Sequence, residues 1–222
     1  MPISIMRPDF DAVIWDFGGV ITTSPFDAFA RYERERGLPV GIIRHINASN
    51  PNANAWARFE RSEVDAAAFD RLFAAEAAAL GHAIPGADVI ALLAGDIRPR
   101  MVLALDQLKQ AGFVLGCITN NVAAGEGAGM ARDAQAAGAV GAILARFDHV
   151  IESSKAGVRK PDPAIYRMML DRIGIVAERA IYLDDLGINC KPAAALGMTA
   201  IKVLSEDQAL RQLSALVCLD LG

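Results

Sequence analysis

Four short pieces of this sequence hold side chains that could act together. "WDFGGVIT" (15–22) sets Asp16 directly after an apolar run and just ahead of Gly18 and Gly19. A carboxylate there can attack phosphorus while its other oxygen holds a metal, and glycines let backbone amides approach a ligand closely. "CITNN" (117–121) ends an apolar run on Thr119, whose hydroxyl, beside the amides of Asn120 and Asn121, can hold a phosphate oxygen. "RKPDPAIY" (159–166) places Lys160 just before a proline-started helix, where an ammonium can aim at a bound anion. "YLDDLGIN" (182–189) makes Asp184 and Asp185 neighbours. Two such carboxylates repel, and one resists ionising unless a cation offsets the charge. With Asp16 brought close, these oxygens suit Mg²⁺, which takes few carboxylates, several waters and substrate phosphate.

Each piece alone also has a plainer structural reading. Asp16 can cap the loop after it, and a threonine is common at a strand end. A lysine before a helix is often a solvated surface residue, a role that suits Arg159 better than Lys160. The acid pair can cap the helix that follows. Chemistry is implied only if the fold brings the four pieces to one place.

The elements that would do so are legible. "AVIWD" (12–16), "FVLGCIT" (113–119), "HVI" (149–151), "AIYLDD" (180–185) and "MTAIKV" (198–203) are short apolar runs that read as buried strands. Helical stretches lie between most of them: "PRMVLALDQLKQAG" (99–112), "PDPAIYRMMLDRIG" (161–174) and "INCKPAAALG" (188–197), with a last helix from Ser205. The alternation predicts an α/β fold, a parallel Rossmann-like sheet flanked by helices on both faces. Residues 25–95 interrupt it. "FDAFARYERERG", "AWARFE" and "SEVDAAAFDRLFAAEAAALG" have helical periodicity with no strand between them, and Ser62, Glu63 and Asp65 give the last an acidic, capped start. The expected organisation is a discontinuous core, 1–24 and 96–222, with an inserted all-helical cap over 25–95. Ligands of such sheets bind at the carboxyl ends of the strands, where Asp16, Thr119 and the Asp184–Asp185 pair fall.

Bulk properties narrow the function. The 222 residues carry a formal charge of −4, with 53% apolar and 22% charged residues, which is an ordinary globular composition. Nothing in that balance calls for nucleic acid. No apolar run approaches the roughly 20 residues of a membrane span, and the start of the chain lacks the pattern of a signal peptide. Cys117, Cys190 and Cys218 lie far apart and match no zinc spacing, so a reduced, cytoplasmic setting is the simplest expectation. "GEGAGMA" (125–131) has Met130 where a dinucleotide-binding loop needs its third glycine, and reads as a flexible loop. "NASNPNAN" (47–54) reads as a turn-rich connector, and His45, His82 and His149 as scattered residues without ligand spacing. The aromatics Phe26, Phe29, Trp56, Phe59, Phe69 and Phe73 are mostly core, one or two of them lining a cleft.

"DFGGV", "CITNN", "RKPDP" and "YLDD", taken in order, resemble the four motifs of the haloacid dehalogenase superfamily, most of whose members are Mg²⁺-dependent phosphatases. The resemblance spans nearly the whole chain. From "FDHVIESSKAGVRKPDPAIY" onward it is similar to the phosphatase domain at the N-terminus of soluble epoxide hydrolases and to the related domain of acyl-CoA dehydrogenase fusion proteins. The resemblance implies that Asp16 is the nucleophile, forming an aspartyl-phosphate, and also a metal ligand. It implies that Thr119 and Lys160, with Asn120, hold the transferring phosphoryl group. It makes Asp185 the main acidic ligand of Mg²⁺, Asp184 a supporting one, and Gly18 a ligand through its backbone carbonyl. The partner implied is a small or lipid-like phosphate ester, with neither nucleic acid nor membrane involved.

Position 18 departs from the pattern. The family's phosphatases usually carry an aspartate there that protonates the leaving group and then activates water. Glycine does neither, and such general acid–base help is worth about 10²–10⁴-fold. Thr22, Thr23 or a cap residue acting through a water is the alternative proton source. Two other readings follow: a 2-haloacid dehalogenase, whose aspartate attacks carbon without a metal, and a non-catalytic binding module that keeps the metal site. Asp184–Asp185 weighs against the first, and Gly18 is the sole support for the second.

Overall fold

The structure is a computed structural model and describes residues 9–121 and 134–222. Five parallel strands form one sheet in the order β3-β2-β1-β4-β5: β1 (Ala12–Trp15), β2 (Val114–Thr119), β3 (His149–Glu152), β4 (Ala180–Asp184) and β5 (Thr199–Lys202). All five lie where the apolar runs place them. The loop reading of 125–131 falls outside the described residues.

The strands are apolar throughout because both faces are covered. Alternate residues point to opposite sides of a strand. Val13 and Trp15 enter one core with Leu115, Cys117, Ile181 and Leu183, against α6 (Pro99–Gln110), α7 (Ala134–Leu144) and α11 (Glu206–Val217). Ile14, Ile118 and Tyr182 enter the other, against α9 (Pro163–Ile173) and α10 (Gly187–Ala195). Gly116 leaves room for Met169 of α9 against β2, since a Cβ there would stand 2.9 Å from Met169 Sδ. Each fully buried aliphatic or aromatic side chain of these cores is worth roughly 1.5–3 kcal/mol.

Between β1 and α6 the chain builds five helices: α1 (Pro25–Glu35), α2 (Ile42–Ala48), α3 (Ala55–Glu60), α4 (Ala66–Ala79) and α5 (Gly86–Ala91). They enclose an apolar cluster of their own, centred on Phe29, Ile43, Phe59, Phe69 and Phe73. The ends of this segment meet. Thr22 bridges Ile97, Thr23 N donates to Asp96 O at 2.8 Å, and a Cβ on Gly95 would strike Thr23 O at 2.3 Å.

Local chemistry sets the helix starts. Asn54 caps α3 by accepting from Ala57 N, and its amide donates to the carbonyls of Asn47 and Ser49. That gives the asparagine-rich connector a structural role. The cap of α4 corrects the sequence reading. Asp65 accepts from Ala68 N and the helix begins at Ala66. Ser62 lies outside it at φ +58°, and Glu63 pairs with Arg61 at 2.6 Å. The short helices α2, α5 and α8 (Ser153–Ala156), and the alanine-rich α7, have no counterpart among the predicted elements. Periodicity has too few turns to register in four to seven residues. Helix α2 is instead anchored from a distance, the buried Glu33 of α1 accepting from Gly41 N and Ile43 N.

Candidate active site

Register brings the four pieces together. Trp15 pairs with Cys117 on one side and Leu183 on the other, and Asp16 N donates to Leu183 O at 2.8 Å. Asp16 therefore leaves β1 level with Asp184, beside the end of β2 that carries Thr119. This is the point where strand order reverses about β1, the place where sheets of this kind open a crevice for ligands. A cavity of about 770 Å³ opens there between the strand ends and α1–α3. Asp16, Gly18, Thr119, Asn120, Lys160 and Asp185 all line it.

Lys160 is the centre of the arrangement. Its side chain is 1% exposed, and Nζ lies 2.7 Å from Asp16 Oδ1 and 2.8 Å from Asp184 Oδ2. Burial disfavours the charged ammonium, but Asp16 and Asp184 more than offset this and raise its pKa, so it stays a cation. Asn120 fixes the lysine's backbone from both sides, Nδ2 donating to Lys160 O at 3.0 Å and Oδ1 accepting from Lys160 N at 2.9 Å. The Asn120 side chain is thus turned toward the Lys160 backbone.

The two adjacent acids differ. Asp184 is fully buried, and Lys160, Tyr182 Oη (2.6 Å), Asn189 Nδ2 (3.1 Å) and Leu186 N (2.8 Å) all donate to its oxygens. Asp185 faces the cavity and accepts from Ser24 Oγ at 3.1 Å. Burial, then the nearby Asp184 charge, pushes its carboxyl up to about 6. Asp16 takes Phe17 N on Oδ1 at 2.7 Å. Burial raises its pKa well above the usual carboxylate range, Lys160 opposes the shift, and Asp184 and Asp185 add to it.

Oxygens of Asp16, Asp184 and Asp185 lie within 4.8 Å of one another, with one ammonium among them. That excess of negative charge in a buried setting fits a divalent cation with hard oxygen ligands. Asp16 and Asp185 are the carboxylates with capacity to reach it, since Asp184 is saturated by donors. Backbone geometry agrees at the next position. Gly19 adopts φ +78°, and a Cβ there would lie 2.2 Å from Asp185 Oδ2, so only glycine lets the β1 loop pass this acid.

Arg159 differs from expectation. Its side chain is 19% exposed rather than solvated, because Glu60 of α3 pairs with it at 2.6 Å. Tyr182, Asn189, Ser24 and Glu60 were not marked by sequence reading. Tyr182 had a signal, since two residues before Asp184 on a strand means the same face. The others come from distant elements. Among the aromatics, Phe59, Phe69 and Phe73 are core, Phe29 is core and also reaches the cavity, and with Phe26 and Trp56 that makes three in its wall rather than one or two.

The parallel sheet thus carries a carboxylate at its switch point, beside a buried lysine and an acid pair. Residues 10–197 match the model of the haloacid dehalogenase-like hydrolases, and the chain belongs to that family. It is 30% identical over 213 residues to acyl-CoA dehydrogenase family member 10 of Mus musculus, covering 94% of this chain and 19% of that one. It is 37% identical over 113 residues to bifunctional epoxide hydrolase 2 of Sus scrofa, covering 51% of this chain and 20% of that one. The chain thus spans about a fifth of the length of these relatives. Similarity to a sesquiterpene phosphatase of Aspergillus oryzae is 27% over 217 residues, covering 94% and 98% of the two chains. A haloacid dehalogenase-family enzyme of Bacteroides thetaiotaomicron shares the fold, with TM-score 0.59 and 16% identity over 92% of this chain and 98% of that one. Among the described residues, no helix is long and apolar enough to cross a membrane.

Proposed function

We propose that this protein is a Mg²⁺-dependent phosphatase that hydrolyses a small or lipid-like phosphomonoester through an aspartyl-phosphate on Asp16. The observation that carries the reading is the Lys160 ammonium, held between Asp16 and Asp184 at 2.7 and 2.8 Å, with Asp185 facing the same cavity. A dehalogenase attacking carbon would have no use for so much uncompensated negative charge. A relative named as a sesquiterpene phosphatase, and a cavity with Phe26, Phe29 and Trp56 in its wall, favour an ester with an apolar body.

In this reading Asp16, Asp185 and the Gly18 carbonyl hold Mg²⁺, with Asp184 in support. When bound, the cation neutralises phosphoryl oxygens and the carboxylates together. The remaining steps belong to the chain. Thr119, the Asn120 main chain and Lys160 orient the phosphoryl group. An oxygen of Asp16 bonds to phosphorus as the ester P–O bond breaks, and the departing alkoxide takes its proton from solvent, since Gly18 has none to give. Water then attacks the acyl phosphate, releasing inorganic phosphate and restoring Asp16. Lys160 opposes the burial that raises the Asp16 pKa and so favours its ionised, nucleophilic form. Residues 1–24 and 96–222 form the catalytic core, and 25–95 act as a helical cap that shapes the substrate side of the cavity.

The test is hydrolysis of p-nitrophenyl phosphate, with Mg²⁺ and with EDTA, by the protein and by Asp16→Asn. Metal-dependent turnover lost in the variant is expected. Equal turnover by Asp16→Asn would overturn the nucleophile assignment.

A further inference from the structure

Among the described residues four cations line the cavity, and three are already paired: Lys160 with Asp16 and Asp184, Arg159 with Glu60, and Arg61 with Glu63. Arg44 of α2 is the exception. Among the described residues no carboxylate pairs with it, and its guanidinium lies over the Phe26 ring at 4.3 Å from the centroid. A guanidinium resting on an aromatic face keeps its in-plane N–H donors free for an anion. One helical turn along the same wall, Asn47 Oδ1 is buried and has no hydrogen-bond partner. A buried acceptor left unpaired is costly, so a polar group is expected to meet it. An alkyl chain would answer neither residue.

We propose that Arg44 is a specificity determinant, and that the substrate is a phosphomonoester carrying a second anionic oxygen group, carboxylate or phosphate, which Arg44 takes on the α2 side of the cavity. Phe26, Phe29 and Trp56 cover the apolar link between the two charged ends. This deepens the phosphatase reading and rests on it for the identity of the first group.

Calorimetric titration in Mg²⁺ would compare n-alkylphosphonates with ω-carboxyalkylphosphonates and alkane bisphosphonates of matched length, over a series of lengths. The native protein is expected to bind at least one charged-ended probe roughly tenfold or more tightly than its methyl-ended counterpart, the scale of one hydrogen-bonded charge. Which charged probe prevails tells carboxylate from phosphate. Arg44→Met is expected to bring the ratio close to one, and Arg44→Lys to retain part of it. Because each ratio is taken within one variant, a general loss of folding or of phosphonate binding cancels. A ratio near one in the native protein, or an unchanged ratio in Arg44→Met, would overturn the proposal. The phosphonates need no turnover, so failure of the phosphatase reading registers separately, as absence of p-nitrophenyl phosphate hydrolysis.

Discussion

Glu60, the last residue of α3, sets its carboxylate 2.6 Å from Nε of Arg159, the residue immediately before Lys160. The same arginine donates through Nη1 to Pro51 O at 3.1 Å. Beside this pair, Ser153 Oγ donates to Glu60 O at 2.8 Å and accepts from Asn121 N at 3.1 Å. One residue of the inserted helices therefore steadies both loops that carry the site, the one bearing Lys160 and the one following Thr119.

Truncating Glu60 should be felt as stability. Arg159 would keep a largely buried charge without its carboxylate, a loss typically of about 3 kcal/mol. Urea denaturation of Glu60→Ala measures it, and a change within about 0.5 kcal/mol, the usual range for a surface site, would mean the pair is idle. Glu60→Gln should cost less, since the amide oxygen still sets a partial negative charge beside Arg159. Its pH dependence has a definite sign. Burial raises the Glu60 carboxyl above 4.5, with Arg159 opposing. A raised folded-state value contributes stability that is present below the unfolded value and lost as pH rises through the folded one. The difference between Gln and native protein should thus move in glutamine's favour as pH climbs from 4.5 toward neutrality.

Lys160→Met should remove turnover and also destabilise, by about 3–5 kcal/mol, because Asp16 and Asp184 would be left buried without a cation. Added Mg²⁺ should then raise the melting temperature of the variant by more than that of the native protein, since it relieves the same repulsion. An equal rise in both would show that the lysine and the metal site do not share a charge.

The sheet and the four motif positions that meet at its strand ends are legible because each rests on a local pattern: an apolar run, a strand-ending polar residue, a proline-started helix. What escaped was set by contacts between distant parts. Nothing near Ser24 announces that it will meet Asp185, 161 residues away. Nothing in "ARFER" says that Glu60 faces Arg159 rather than solvent. Arg159 reads as a surface residue because a charged residue without its partner in view belongs there. The start of α4 was misplaced for a related reason. Ser62 and Asp65 both have capping chemistry, and only the backbone, left-handed at Ser62, selects between them.

Mg²⁺ affinity should depend on pH in a way Asp185 dictates. Its carboxyl, pushed up to about 6 by burial and then by Asp184, must lose a proton before it can ligate. Affinity should therefore climb as pH rises toward about 6 and level off above it. Without metal the raised value means the opposite trend for stability, which is fullest below 3.8 and declines as pH rises through about 6. Calorimetric titration and thermal melts across that range check both signs. Asp185→Asn should weaken binding and flatten its pH profile, and a profile unchanged in that variant would remove Asp185 from the site.

Two neighbouring glycines should respond oppositely to a side chain. At Gly18 a Cβ meets nothing within 4 Å, and the backbone needs no left-handed conformation. Gly18→Asp should fold normally and place a carboxylic acid at that position. The gain should be large for alkyl phosphates, whose leaving alkoxide needs a proton, within the ceiling of about 10²–10⁴-fold for general acid–base help. It should be small for p-nitrophenyl phosphate, whose leaving group needs little help. At Gly19 the Cβ would fall 2.2 Å from Asp185 Oδ2, at φ +78°. Gly19→Ala should therefore push Asp185 aside, weakening Mg²⁺ binding and lowering turnover on every ester alike. Steady-state kinetics on the two ester types separates the cases. No selective gain in Gly18→Asp, with Mg²⁺ still bound, would mean that proton transfer is already handled elsewhere or does not limit the rate.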